Sequence, residues 1–360
     1  MPNFAAMTTI AAVQSAFPAY RYPQAEFAQK VADQVGLDPA QRARLEQLYG
    51  NAGVDTRHTI LPMAEYGALG EIGAANDRYI EEATGLGEQA LRGALDAAGL
   101  AASDVDLLIV TSVTGVAVPS LDARLIPRLG LRPDVKRLPI FGLGCVAGAA
   151  GLGRLHDYLL AWPQHTAALL AVELCSLTWR PTDVTVADLV ASSLFGDGAV
   201  ALVATGGRPV DERAPGRPRV VASRSHVFPD SADTLGWRLA ADRFRIILTA
   251  ELADVVERQL SGSVTAFLAE HGLTIDEISS WVCHPGGPKV IDAVQQSLKL
   301  PDGAVEMSRR SLAEAGNMSS ASVLHILEQT MDTCPPPAGS AGLMIGLGPG
   351  LSAELVLLQW

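Results

Sequence analysis

Apolar runs rich in Val, Ile and Leu alternate along the chain with Ala- and Leu-rich segments of helical period, the pattern of an α/β protein whose strands are buried. The runs predict strands at 107–112, 167–172, 199–204, 280–283, 342–346 and 353–358, and the periodic segments predict helices at 26–36, 77–98, 146–161, 250–270, 290–298 and 319–330. The apolar amino terminus, MPNFAAMTTIAAVQSAF, lacks a basic start and a cleavage pattern, so it reads as a first strand rather than a signal peptide. GGRPVDERAPGRPR (206–219) has the Pro, Gly and charge density of a surface connection and divides the chain into 1–205 and 206–360.

The two parts echo each other. LDAAGLAASDVDLLIV (95–110) lines up with LAEHGLTIDEISSWVC (268–283), each a helix end, a turn and a buried strand. FGDGAVALV (195–203) resembles LGPGLSAELVLL (347–358), and the matches fall in the same order. A duplication would bring equivalent ends together at a pseudo-twofold axis, where a site built from both halves could sit.

Composition narrows the function. In 360 residues, 48% hydrophobic content supports a sizeable core, and a net charge of −12 without a basic cluster disfavours nucleic acid as a partner. No stretch has the length of uncharged apolar sequence that a membrane span requires. The four cysteines, at 145, 175, 283 and 334, show no CxxC spacing, which suggests neither a disulfide framework nor a metal site and fits a reducing cytoplasm.

Chemistry enters at LPIFGLGCVAGAAGLGRL, where Cys145 lies between a short strand and a helix whose first turns are Gly and Ala. Unpaired N–H groups and the positive end of the macrodipole favour a thiolate at such a place, and small neighbours admit a large substrate. The same thiol could equally be a small buried hydrophobe that tightens helix packing. Gly142 and Gly144 are followed by Gly148, so the third glycine of a GxGxxG dinucleotide fingerprint is missing. WVCHPGGPKVIDAV sets His284 past a strand and ahead of a tight turn, and EAGNMSSASVL sets Asn317 before a helix, where an N-cap is the plainer role. Together the three suit acyl-thioester chemistry: Cys145 carries the acyl group, while His284 and Asn317 donate to a thioester oxygen that gains charge on decarboxylation.

With these motifs, and with VELCSLTWRPTD (172–183), SLFGDGAVAL (193–202) and GLGPGLSAELVLL (346–358), the sequence resembles the type III polyketide synthases, the chalcone synthase-like branch of the thiolase superfamily. The resemblance implies a homodimer of duplicated thiolase-like αβαβα halves forming a five-layered fold. It implies that Cys145 takes an acyl-CoA starter and that His284 and Asn317 position malonyl-CoA for decarboxylative condensation, with no bound cofactor or metal. Phe195 matches the family's aromatic at the junction of CoA tunnel and cavity; Cys175, Thr178, Gly236, Ile246 and Ser319 match cavity-lining positions; Arg57 matches a basic residue set against CoA phosphates. Cys175 and Ile246 make the pocket less polar than one shaped for an aromatic starter, and 235–257 is similar to bacterial members that make alkylpyrones or alkylresorcinols, so a fatty acyl starter is expected. A single-condensation ketoacyl synthase and a non-catalytic thiolase-fold binding protein are the alternatives. Starter length, extension number, mode of cyclisation and any acyl carrier protein are left open by the sequence.

Overall fold

The computed structural model describes residues 8–207, 217–241, 243–249 and 251–360. In the first half the chain runs β1 (Thr8–Ala16), β2 (Tyr20–Pro23), α1 (Gln24–Val35), α2 (Pro39–Gly50), β3 (Thr56–Thr59), α3 (Ile72–Ala98), β4 (Val105–Thr111), α4 (Leu121–Leu129), β5 (Lys136–Ile140), α5 (Ala147–Ala161), β6 (Thr166–Leu174), α6 (Val186–Leu194) and β7 (Asp197–Thr205). The second half adds β8 (Arg219–Val227), β9 (Leu235–Leu239), β10 (Phe244–Leu248), α7 (Leu252–Glu270), β11 (Ile278–Cys283), α8 (Pro288–Ser297), α9 (Glu306–Ala315), α10 (Ser322–Thr333), β12 (Ala341–Gly348) and β13 (Ser352–Gln359).

Among the described residues nine strands form one sheet in the order β11-β12-β13-β8-β1-β7-β6-β4-β5. Parallel β4–β6 followed by antiparallel β6–β7 and β7–β1 is matched by parallel β11–β12 followed by antiparallel β12–β13 and β13–β8. The halves meet where β1 pairs β8 through Thr8 with Val220 and Thr9 with Arg219. The duplicated segments therefore lie on equivalent strands: 95–110 and 268–283 end in β4 and β11, and 195–203 and 347–358 run into β7 and β13.

Burial separates five layers. Residues of α1, α3 and α4 pack on one face of the first half-sheet, α7 and α8 cover the outer face of the second, and α5 and α10 fill the space between. β6 and β7 are buried at every position, as strands with helices on both faces must be. This is the thiolase-like arrangement the resemblance implies.

Elements unread in the sequence are mostly those with little burial to mark them. In α2 only Leu45 and Tyr49 are buried. The short strand read ahead of Cys145 is β5 (KRLPI), a largely exposed edge strand that carries a proline. The predicted helix 319–330 begins instead with the tight turn Ser319–Ala321, where Ser319 has φ +49, and α10 proper starts at Ser322. Of the predicted connection 206–219, residues 208–216 lie outside the described residues, as does residue 250 at the start of the predicted helix 250–270. No helix among the described residues is long and apolar enough to cross a membrane.

Candidate active site

Cys145 sits in the turn Gly144–Val146 that leads into α5. Gly144 has φ +56, and a Cβ there would stand 2.5 Å from the Pro349 ring. One turn on, a Cβ at Gly148 would be 2.2 Å from the Ser320 carbonyl oxygen. Glycine thus lets the start of α5 press directly on the turn that opens α10.

Across from it, β11 extends one hydrogen bond beyond its last residue, from His284 N to Ile345 O at 2.8 Å. Asn317 is held by both ends of its amide: Oδ1 accepts from Ser319 N at 2.8 Å and Nδ2 donates to Gly286 O at 3.4 Å. Its backbone is docked as well, with Asn317 N on Leu194 O (2.8 Å) and Gly196 N on Asn317 O (3.0 Å), so Asn317 and Phe195 lie side by side. The N-cap position itself falls to Met318, so the Asn317 amide closes the turn from one residue further back.

Cys145, His284 and Asn317 line a single cavity with Phe195, Ile246 and a leucine-rich wall that includes Leu235, Leu252 and Leu351. Cys175 and Thr178 line a neighbouring cavity, which also holds Thr59, Tyr66, Ser176 and Trp237. Phe195 and Ile246 line both and so form the wall between them. Ser319 lines neither cavity but takes the thiol hydrogen bond of Cys145 at 3.5 Å. Gly236 is also absent from both linings. It lies on β9 opposite Ile247, between Leu235 of one cavity and Trp237 of the other, and a Cβ there would meet nothing within 4 Å.

Arg57 corrects the sequence reading. Its side chain is 0% exposed, and it donates to the carbonyls of Ser192 (2.5 Å), Ser193 (2.5 Å) and Phe195 (2.7 Å) and to Gln24 Oε1. A guanidinium enclosed this way offers no approach to a CoA phosphate. Burial lowers its pKa to about 10 against the pull of Tyr49 and Asp197.

The resting electrostatics also differ from expectation. Burial pushes the Cys145 thiol up to about 12, aided by Glu173 and opposed by the Ser319 hydrogen bond, and it pulls His284 down to about 3. Desolvation is the largest influence on the thiol, and it opposes the thiolate that a helix start favours. Both shifts favour a thiol and a neutral imidazole, and His284 Nδ1 has no protein hydrogen-bond partner among the described residues.

Of the buried carboxyls, Glu173 and Asp197 bear on the site and went unread. Glu173, at 0% exposure, accepts from Val113 N and Thr114 Oγ1 (3.0 Å each) and from Ser320 Oγ (2.6 Å), and burial raises its pKa. Asp197 accepts from Ile60 N (2.7 Å), Ser176 N (2.8 Å) and Ser176 Oγ, and burial raises it to about 6. A lone acid inside an apolar strand, as in LLAVEL and FGDGAV, was the available signal. All four cysteines are free thiols, and no group of three or more His, Cys, Asp or Glu among the described residues could hold a metal ion.

Residues 3–209 match the family model of the N-terminal domain of chalcone and stilbene synthases, and 219–360 match that of their C-terminal domain. A 1,3,6,8-tetrahydroxynaphthalene synthase of Streptomyces peucetius subsp. caesius is 54% identical over 98% of this chain and 93% of its own length. Among solved structures, the tetrahydroxynaphthalene synthase of Streptomyces coelicolor A3(2), a bacterial type III polyketide synthase, superposes with TM-score 0.91 at 32% identity, over 98% of this chain and 99% of the other. A polyketide synthase of the brown alga Ectocarpus siliculosus gives TM-score 0.92 at 27% identity, with both chains fully covered. The chain belongs to the chalcone and stilbene synthase family and is a type III polyketide synthase, an acyltransferase working on CoA thioesters.

Proposed function

We propose that the protein builds a polyhydroxylated naphthalene from malonyl-CoA alone, with Cys145 as acyl carrier and His284 and Asn317 as donors to the enolate. The convergence of these three side chains on one cavity carries the reading. The 54% identity to a naphthalene synthase supports the product class in place of the fatty acyl starter expected from the sequence. A naphthalene nucleus needs no alkyl tail, since two-carbon units supply all its ring carbons.

The steps follow from the resting state. Neutral His284 takes the Cys145 proton as sulfur attacks the starter thioester, and passes it to the departing CoA thiolate. A malonyl thioester then loses carbon dioxide, and the enolate oxygen is held by an N–H of His284 and by Asn317 Nδ2. The enolate carbon attacks the Cys145 thioester, the Cys145 thiolate leaves, and the chain, longer by one two-carbon unit on CoA, reloads. Phe195 and Ile246 stand where the growing chain passes toward the hydroxyl-rich second cavity, whose Tyr66, Ser176 and Thr178 suit a poly-carbonyl chain.

The first half, 1–205, supplies Cys145, and the second, 206–360, supplies His284 and Asn317. A homodimer is supported by the edge strand β5, which among the described residues pairs with β4 alone, carries exposed Leu138 and is followed by exposed Phe141 and Leu143. Phe141→Asp is expected to convert a sedimenting dimer to monomer, and an unchanged sedimentation coefficient would remove this face from the assembly. Three buried cysteines and one exposed one, all reduced, fit a cytoplasmic setting.

A second reading is favoured by the leucine-rich wall beside Cys145: a fatty acyl starter extended to a pyrone or resorcinol. Incubation with malonyl-CoA alone separates the two. The proposal expects a ten-carbon aromatic by mass, whereas product only after addition of a fatty acyl-CoA supports the second reading.

A further inference from the structure

Arg57 is the largest fully buried side chain among the described residues, yet no step above uses it. An α-helix leaves the carbonyls of its last turn without partners, and a cation there is favoured by the macrodipole. At the end of α6 these carbonyls are shared in a particular way. Ser192, Ser193 and Phe195 give theirs to the Arg57 guanidinium, and the one between, Leu194, gives its own to Asn317 N. The peptide after Phe195 then returns a bond, Gly196 N to Asn317 O at 3.0 Å. Space for adjustment is small, because a Cβ at Gly196 would stand 2.2 Å from Ala315 O and one at Gly316 would stand 2.8 Å from Leu194 O. Gln24 holds the fork from behind, accepting from Arg57 through Oε1 while its own Nε2 donates to Ser193 O (3.0 Å) and Tyr49 O (3.1 Å).

We infer that Arg57 is a positioning residue for malonyl decarboxylation: by clamping three carbonyls at the end of α6 it fixes the backbone to which Asn317 and Phe195 are docked. It touches neither substrate nor the nucleophile. Cys145 is set by a different contact, α5 against the start of α10, so losing the clamp acts on the malonyl half of the cycle and spares the thiol. Lysine cannot replace it, since a single ammonium on a flexible stem does not span three carbonyls as a planar fork does.

The inference rests on the assignment of Asn317 to decarboxylation, and the test separates the two. Arg57→Lys and Asn317→Ala are made singly and together, and two rates are measured on the folded proteins: release of carbon dioxide from malonyl-CoA, and alkylation of Cys145 by iodoacetamide. Arg57→Lys is expected to slow decarboxylation by about tenfold to hundredfold, the effect of a displacement near 1 Å, and to leave alkylation within about twofold. In the Asn317→Ala background the same change is expected to add little. Unchanged decarboxylation, a parallel fall in both rates, or full additivity in the double variant would overturn the inference. If Asn317→Ala itself decarboxylates normally, the assignment of Asn317 fails instead. Should Arg57→Lys not fold, Gln24→Leu, which unseats the fork without removing it, is expected to give the same selective loss at smaller size, and an equal loss of both rates would refute it.

Discussion

Replacing Gly148 by alanine tests how Cys145 is placed. The new Cβ would stand 2.2 Å from Ser320 O and 2.9 Å from Val323 Cγ1. A relaxed carbon–oxygen contact is roughly 3.3 Å, so the starts of α5 and α10 must part by about 1 Å. Alanine in a helix is worth up to about 1 kcal/mol over glycine, but overpacking a closed contact costs about 1–3 kcal/mol, and the net expectation is a loss of about 1–2 kcal/mol. The same parting moves Cys145 relative to Asn317, since the two flank the contact on opposite elements, and a 1 Å error of that kind lowers turnover by about a hundredfold. Urea unfolding gives the first quantity and malonyl-CoA consumption gives the second. Gly85, within α3, is the control, because a Cβ there meets nothing within 4 Å. Gly85→Ala is expected to gain up to about 1 kcal/mol with unchanged turnover. A Gly148→Ala protein that behaves like Gly85→Ala in both assays would refute the contact as the device that places the thiol.

Asn317→Ala is expected to slow malonyl decarboxylation by about a hundredfold while starter loading continues, as loss of an oxyanion donor does; equal effects on both, measured by carbon dioxide release and by protein mass, would leave Asn317 only the role of holding the turn at Ser319. Burial lowers His325 to about 4, below the value it has when unfolded, so its contribution to stability is present above about pH 6.5 and is lost as pH falls toward 4. His325→Gln is expected to remove up to about 3 kcal/mol of that loss, read as a flatter dependence of the urea midpoint on pH, and a parallel dependence would contradict it. Asp197, raised to about 6, works in the opposite sense: its contribution is full below about pH 3.8 and is lost as pH rises through 6, so Asp197→Asn is expected to remove that decline in urea midpoints between pH 4 and 6.5.

Much of this arrangement was legible because burial writes itself into sequence. β6 and β7, buried at every residue, show in the sequence as the apolar runs 167–172 and 199–204, and the two echoing pairs of segments mark equivalent strands of a doubled sheet. The trio at the site was legible for a different reason, since each member sits at the end of a strand or the start of a helix, flanked by the Gly and Pro of tight turns. What stayed hidden depends on contacts between distant segments. Nothing local distinguishes the Arg57 of GVDTRHT from a surface arginine; its enclosure comes from carbonyls more than a hundred residues away. The hairpin of β9 and β10 was equally silent, because Trp237 and Ile246 acquire their place only by packing against Phe195 and the cavity wall. The upward shift of the Cys145 thiol stayed hidden as well, because a helix start is visible in sequence while desolvation by the surrounding layers is not.

The claim that Cys145 carries the acyl chain is tested most directly by trapping it there. Asn317→Ala protein, which is expected to load but not extend, is incubated with an acyl-CoA, quenched in acid and digested, and the peptides are read by mass. The account predicts one acyl group, on the peptide containing Cys145 and lost in the Cys145→Ala double variant. An adduct that maps to Cys175 in the neighbouring cavity, or that survives replacement of Cys145, would contradict it.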